Sequence, residues 1–348
     1  MFRYQLESMK HLALRSLGSE TDLHTTPDEI EIVYPESFVE GPYALTLPGQ
    51  LDRISSVAFG GNVGIEVGQF LGAKRRIGAT RKMVFSNVFI ANGTIFKNGR
   101  RWVFNDQAPL KNRRGQSKEF DFVACRSSFL GCHFFGHWLR DDCATHILAS
   151  DSGIPMSMPA PPWPDRASYL SFFGQSEVDL QNAAVRKLVV FDDVSQNEQK
   201  ASRLKLLRNK LRTAVAGSLN DIVYLKRGAG GGARKLVNEE ELVTLLEAMR
   251  IKIVEPEAIG TSQLVRDLID ARLIISIEGS QISHALYCLR EKGALLVLQP
   301  PDRFFNPHMD WARVLEMKYG SLVGHPADGG FRIDPQDLLR GIEMMHKS

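Results

Sequence analysis

The sequence predicts an α/β protein whose C-terminal half is a doubly wound, mostly parallel sheet. Three features carry that expectation. Short, near-continuous apolar runs recur after residue 220, helical patterns separate them, and turn or capping residues fall at the junctions. Strands apolar along their whole length belong to parallel sheets covered by helices on both faces. The 348 residues exceed the usual size of one hydrophobic core, so two domains are expected.

Taken in chain order, residues 30–125 read as β-rich. Ile30-Glu31-Ile32-Val33-Tyr34 and Met83-Val84-Phe85 are separated by turn signals at Gly60-Gly61-Asn62, Asn92-Gly93 and Asn98-Gly99. Asn-Gly supplies two residues that tolerate positive φ, which predicts two hairpins. The pattern turns helical over 134–148, and a proline-rich loop over 155–164 can continue neither helix nor sheet. A strand at 188–191 and a basic helix at 196–211 follow. The regular part then reads strand 222–225, helix 238–249, strand 251–254, helix 262–269, strand 273–277, helix 281–289 and strand 294–298. Asn238 with Glu241 three positions on is a capping-box arrangement. A last helix spans 335–345. The expected organisation is therefore 1–213 as a first lobe, 214–330 as a nucleotide-binding Rossmann-like lobe, and 331–348 as a helix returning to the first lobe.

Composition narrows the function classes. Apolar residues make up 43% and charged residues 24%, and a formal charge of +3 is too small to imply nucleic acid. Basic clusters at Lys74-Arg75-Arg76, Arg113-Arg114 and 203–212 read first as solvated faces and second as attraction for phosphates or an anionic lipid surface. The four cysteines form no Cys-x-x-Cys pair, the N-terminus lacks the apolar run of a signal peptide, and no segment approaches the ~20 apolar residues that span a bilayer. A cytoplasmic protein, with the membrane met at most peripherally, is the expectation.

Ligands of open α/β sheets bind outside the carboxyl ends of the strands. Here those positions are the loop from Lys226-Arg227-Gly228 to Ala233-Arg234, then Glu255-Pro256-Glu257, then Glu278-Gly279-Ser280, then Gln299-Pro300-Pro301. Glycines admit a ligand close to the backbone and guanidinium forks match phosphate oxygens, so the first loop suits a diphosphate; the plain alternative is a flexible surface loop. A dinucleotide fingerprint from Gly228-x-Gly230 with Glu255 as ribose acid is weak, because the helix opens only at Asn238. Gly279 and Ser280 precede a helix, with His284 one turn in, where backbone N–H groups and the helix dipole favour an anion. In the first half, His133, His137 and Asp141 are spaced by four along one helix face. His137 with Asp141 makes an acid/base unit. A metal site through all three, or a helix face merely packed on a loop, are the competing readings, and Trp138 is read as core before it is read as a sugar platform.

In their order and spacing these blocks resemble glycosyltransferase family 61, which includes bacterial capsular polysaccharide proteins and eukaryotic xylosyl-, arabinosyl- and N-acetylglucosaminyl-transferases. The resemblance covers about 135–301. It rests on Phe135-Gly136-His137-Trp138-Leu139-Arg140-Asp141, on Val223-Tyr224-Leu225-Lys226-Arg227 followed by Ala233-Arg234-Lys235-Leu236-Val237-Asn238-Glu239, on Pro256-Glu257 with Gln263, and on the turn Glu278-Gly279-Ser280-Gln281 running to His284. The family's turn is often His-Gly-Ala with a later Asn; here Glu278 opens it and His284 stands near the Asn position.

The resemblance implies a GT-B-like fold of two Rossmann-like lobes facing a cleft, inversion at the anomeric carbon, and no obligatory metal or cofactor. It implies a nucleotide-sugar donor, UDP-linked first, and a glycan acceptor in surface polysaccharide synthesis, with hexosyl or pentosyl transfer. It places Arg227 and Arg234 on the diphosphate, with Asn238, Glu239, Glu257, Gly279, Ser280, Gln281 and His284 around the nucleotide. Asp141 or His137 is then the base for the acceptor hydroxyl. A non-catalytic scaffold of the same fold and an NAD-dependent oxidoreductase are the alternatives.

Overall fold

The structure, a computed structural model, describes residues 2–19, 21–41, 43–106, 117–217, 220–228 and 234–347. Residues 229–233 of the glycine-rich loop and Arg113-Arg114 lie outside the described residues. The fold is mixed α/β, and the chain divides into two compact units, 1–37 with 78–195, and 38–77 with 196–348.

The first unit is built on an eight-stranded mixed sheet. Its middle strand, Asn182–Asp192, runs antiparallel to Thr80–Ala91 and parallel to Lys118–Cys125, so that Val190 pairs with Met83 on one side and Cys125 on the other. Thr80–Ala91 continues through two hairpins into Thr94–Lys97 and Arg100–Val103. Their turns are Asn92 (φ 50°) with Gly93 (φ 72°) and Asn98 (φ 51°) with Gly99 (φ 82°), the positive-φ pairs that two-residue hairpins require. Gly60-Gly61-Asn62 does something else: Asn62 caps the helix Val63–Phe70 by accepting from the Ile65 N–H at 3.1 Å. One face of the sheet buries Phe85, Val88, Val123 and Leu188. Val84, Ala124 and Val189 on the other face meet Ala149 of the helix Cys143–Ser152. That helix is part of the crossover from Lys118–Cys125 to the parallel strand Ile154–Ser157. The crossover opens at the carboxyl end of its strand, where ligands of such sheets collect.

The second unit holds a six-stranded parallel sheet in the order Lys252–Val254, Ile222–Leu225, Leu273–Ile277, Ala294–Gln299, Lys318–Val323, Ala44–Leu45. Every residue of Leu273–Ile277 and Ala294–Gln299 is buried, as expected of strands covered on both faces. The last two strands carry no readable signal: Lys318–Val323 is interrupted by Gly320 and Ser321, and Ala44–Leu45 is too short.

Three expectations about organisation are corrected. The division falls at 195/196, not 213/214. The reason is the basic helix Glu198–Ala214: Arg208 and Arg212 donate to the backbone carbonyls of Leu286, Cys288 and Leu289 at the end of the helix Ile282–Cys288. Cations there satisfy unpaired carbonyls and oppose the helix dipole. Arg203 and Arg208 are buried while Lys205 and Lys210 face solvent, so the cluster at 203–212 is a solvated face only in part, and burial pulls Arg208 down to about 10. Second, residues 38–77 join the later unit, because Ala44–Leu45 extends its sheet. Third, the C-terminal helix Pro335–Lys347 packs on Lys318–Val323, its Leu338, Ile342 and Met345 lying in the same core as Leu296 and Leu322, and so belongs to the second unit.

The capping box is corrected as well. The Asn238 side chain donates to the Ile333 carbonyl at 2.9 Å and accepts from the Ile333 N–H at 3.2 Å. Its amide also donates to Glu241 Oε2 at 2.9 Å, so it ties the start of the helix Glu239–Ala248 to the strand near the C-terminus rather than capping the helix.

Candidate functional site

Two polar centres form, one in each unit. In the first unit the helical segment is not a single regular helix. Phe135–His137 leads into a widened π turn, Trp138–Asp142, all of it buried, before Cys143–Ser152 begins. Such turns insert a residue and recur at functional sites. Here the widening lets neighbouring carboxylates serve different partners.

Asp141, with 2% of its side chain exposed, receives Arg140 Nε at 3.0 Å, Arg140 Nη2 at 2.9 Å and His137 Nδ1 at 2.8 Å. Arg140 Nη2 also lies 2.8 Å from His137 Nδ1. Nδ1 therefore sits between an acceptor and a donor: with the proton on Nδ1 the ring donates to Asp141 and Nε2 is the accepting nitrogen, and with the proton on Nε2 the ring accepts from Arg140. His137 keeps 21% of its side chain exposed and is the member of the group that reaches solvent. Thr145 Oγ1 stands 2.9 Å from the Asp141 carbonyl and 2.9 Å from Asp193 Oδ2, pinning the turn to the end of the central strand.

Asp142 turns the other way. It is buried and accepts from the Ser128 N–H at 3.0 Å and the Ser128 hydroxyl at 2.8 Å. Burial pushes its carboxyl up to about 7, against the pull of Arg126 and the Ser128 hydrogen bonds. Gly131 is required by this acid: a Cβ there would fall 2.3 Å from both carboxylate oxygens. Arg126 is spoken for by Glu177, Ser157 and Gln175. Trp138, 1% exposed between Arg126 and Arg166, is core and offers no platform.

The one-face triad is divided. His133 lies before the helix, its Nδ1 at 2.8 Å from the Phe129 carbonyl and its Nε2 at 3.0 Å from Asp106. Among the described residues no group of three or more His, Cys, Asp or Glu side chains is arranged to hold a metal ion. All four cysteines are buried and unpaired, and burial raises Cys125, Cys143 and Cys288 to about 12, so none is poised as a nucleophile.

The second centre lies at the carboxyl ends of the parallel strands. Glu278 directly follows Leu273–Ile277 and is 3% exposed. Arg234 Nε stands 2.8 Å from its Oε2, and Arg227 Nη1 and Arg234 Nη1 both donate to its carbonyl, at 3.0 and 3.2 Å. Burial raises the Glu278 carboxyl, opposed by Arg234, Arg303 and Arg227. Burial also lowers Arg234 to about 10, far above neutral pH, so the cations persist. Gly279 lets Arg227 and Gln281 close over the turn: a Cβ there would fall 2.0 Å from Arg227 Nη1, which would have to move. Gln281 fixes the turn by donating to the Ile277 carbonyl at 2.6 Å.

Beside these arginines opens a cavity of about 580 Å³, lined by Lys226, Arg227, Arg234, Glu239, Glu255 and Glu257 among others. Lys226 is held by Glu255 at 2.6 Å and Glu240 at 3.5 Å. Glu239 accepts from the Tyr224 hydroxyl at 2.7 Å, and burial raises its carboxyl. The lining thus offers guanidinium donors to phosphate oxygens and carboxylate acceptors to sugar hydroxyls.

Of the residues singled out from the sequence, Arg227, Arg234, Glu239 and Glu257 line the cavity, and Gly279 and Gln281 pack beside Arg227. Ser280 is exposed at the turn. Asn238 is committed to Ile333, and His284 is 3% exposed within a wholly buried helix; neither lines the cavity. Sequence reasoning missed Arg303 and the role of Glu278 as buried counter-ion. Arg303 follows the fourth-strand loop at Pro300-Pro301, a ligand-side position that could have found it.

No helix among the described residues is long and apolar enough to cross a membrane. Residues 135–295 match the family model for glycosyltransferase 61, a span that takes in His137, Arg140 and Asp141 of the first centre and Arg227, Arg234 and Glu278 of the second, but not Ser128 or Arg303. No curated protein matches the chain.

Proposed function

We propose that this chain, a member of glycosyltransferase family 61 over residues 135–295, is an inverting transferase whose donor is a nucleotide sugar. UDP is the first candidate carrier, and a hydroxyl of a glycan in surface polysaccharide synthesis is the acceptor. The observation that carries the reading is the convergence of Arg227 and Arg234 on Glu278 beside the 580 Å³ cavity. A leaving diphosphate gains charge as the glycosidic bond breaks, and fixed cations stabilise that charge more than they stabilise the ground state. Three arginines act on Glu278, so the neutralisation a divalent ion can supply is here available from side chains.

The first unit supplies the base in this reading. His137 Nε2 takes the proton of the acceptor hydroxyl as the oxygen attacks the anomeric carbon, from the tautomer in which Nδ1–H donates to Asp141, and the Asp141 carboxylate stabilises the imidazolium that forms. Inversion needs only this one base opposite the leaving group. The two units are the acceptor-side and donor-side lobes of a GT-B-type enzyme. The protein works in the cytoplasm and reaches a lipid-linked glycan from the membrane surface.

Calorimetric titration with UDP, GDP, CMP and NAD, with and without magnesium, tests the donor half directly. Metal-independent binding of one nucleoside diphosphate is expected. Binding of NAD alone would move the chain to the oxidoreductases, and binding of none would leave a scaffold.

A further inference from the structure

We infer that Phe59, backed by Arg303, is a stacking shelf for the sugar ring of the donor, an inference that rests on the donor reading of the second unit. Phe59 is conspicuous on two grounds. It is 73% exposed, and its backbone is left-handed, φ 57° and ψ 26°. Neither burial nor backbone preference selects a phenylalanine there, since a bulky residue in this region is strained. Strain at an exposed aromatic is the kind of outlier that points to a ligand contact.

The surroundings hold the ring in place. Residues 55–58 run beside the loop after the fourth strand: Ser55 N–H donates to the Pro301 carbonyl at 2.8 Å, Phe304 N–H to Ser56 at 3.0 Å, and Ala58 N–H to Phe304 at 3.1 Å. Gln299, fully buried, grips the loop from below, donating to the Phe305 carbonyl at 2.7 Å and accepting from its N–H at 3.3 Å. Phe305 meets the Phe59 ring edge-on at 5.4 Å, and the Arg303 guanidinium lies 5.0 Å from the ring centroid. The shelf is therefore preorganised on a rigid strand end.

Its position supplies the ligand. Glu278 N–H donates to the Leu298 carbonyl at 3.0 Å and His308 Nε2 stands 3.2 Å from the Gly279 carbonyl, so the loop that carries Arg303 borders the arginine centre, and Arg303 acts electrostatically on Glu278, Arg227 and Arg234. In the sheet the order is Lys252–Val254, Ile222–Leu225, Leu273–Ile277, Ala294–Gln299. The cavity lies at the ends of the first three, and the shelf follows the fourth. The arginines stand between. A nucleotide sugar has the same linear order: nucleoside, diphosphate, sugar. With the diphosphate on Arg227 and Arg234 and the nucleoside in the cavity, the sugar extends toward Phe59. A sugar ring presents an apolar C–H face that packs on an aromatic face as an aliphatic group does. The adjacent guanidinium can donate to its hydroxyls.

The test is calorimetry on the full chain with matched probes: UDP against UDP-glucose, UDP-N-acetylglucosamine and UDP-xylose, and GDP against GDP-mannose. Phe59→Ala should weaken the sugar-bearing ligand about threefold to tenfold. The matching nucleoside diphosphate should stay within about twofold. Phe59→Gly should lose the same discrimination, although it relieves the left-handed strain. An equal loss for both ligands would put Phe59 under the nucleoside and overturn the assignment. Unchanged affinity for the sugar-bearing ligand would overturn it too. If the wild type binds nucleoside diphosphates and only the Phe59 effect is absent, the shelf alone falls. If it binds none, the donor reading falls and takes the shelf with it.

Discussion

Both units place a buried carboxylate at the carboxyl end of a parallel strand and surround it with arginine, yet the two centres differ in which group reaches solvent. In the first, Asp141 stands behind His137, and the arginine partner, Arg140, is itself only 7% exposed. The exposed group is a titratable ring. In the second, Glu278 stands behind Arg227 and Arg234, which line an open cavity. The groups that line it are fixed cations. In the proposed function a buried acid orients a proton acceptor in one unit and a phosphate-matching pair in the other. The division follows from chemistry: a base must change charge during turnover, and a diphosphate site must not.

The sharpest break of this comparison is at His137. His137→Ala should reduce turnover by about 10²–10⁴-fold while nucleotide affinity measured by calorimetry stays nearly constant. Asp141→Asn should also lower turnover with affinity intact, by less, because the ring is retained and only its tautomer and orientation are lost. Full transfer activity in Asp141→Asn would exclude Asp141 from the mechanism. Rate loss accompanied by an equal loss of nucleotide affinity would mean that the two centres do not divide the work as described.

The next effect separates Asp141 from its neighbour Asp142, which serves the fold of the first unit. The folded Asp142 carboxyl, at about 7, lies above its ordinary value of 3.8. Its protonated form is thus favoured by folding. That contribution is fully present below about 3.8 and is lost as pH rises through about 7, a matter of a few kcal/mol. Glu177 works in the opposite sense: burial is outweighed by Arg126, Ser157 and Arg166, its carboxyl is lowered, and its contribution is lost only as pH falls below the ordinary range. Urea unfolding between pH 5 and 8 should therefore show stability falling with pH in the wild type. The slope should be shallower in Asp142→Asn, which can still accept from Ser128. Identical slopes would sink the assignment.

What the sequence made legible tracks how local its cause was. The strands 222–225 and 273–277 were readable because burial on both faces forces continuous apolar runs, and both appear with those ends. The two Asn-Gly turns were readable because positive φ restricts residue choice. Lys318–Val323 was not, because Met345 of the C-terminal helix fills the space over Gly320 and removes the apolar signal. The basic helix was misplaced for a related reason: Arg208 and Arg212 look like a solvated face until the carbonyls they neutralise, near Leu289, are known. In the site, His137 with Asp141 was visible at i, i+4 spacing. The Arg140 contribution, the π turn and the pairing of Glu278 with arginines from a different strand end depend on contacts that spacing does not encode.

The smallest effects lie in the arginine pair, and they discriminate within the second centre. Arg227→Ala removes a cation that donates to the Glu278 carbonyl and lines the cavity, so it should weaken nucleoside diphosphate binding about tenfold, roughly 1.4 kcal/mol. Arg234→Ala removes a similar donor but also the partner 2.8 Å from the Glu278 carboxylate. It should weaken binding comparably and lower stability as well, because a buried acid left with less compensation costs more than the lost contact. The double substitution Arg234→Ala with Glu278→Gln should recover stability without recovering affinity. Thermal unfolding and calorimetry on the three variants separate these outcomes. If Glu278→Gln restored binding too, the carboxylate would be competing with the ligand for the arginines rather than holding them in place.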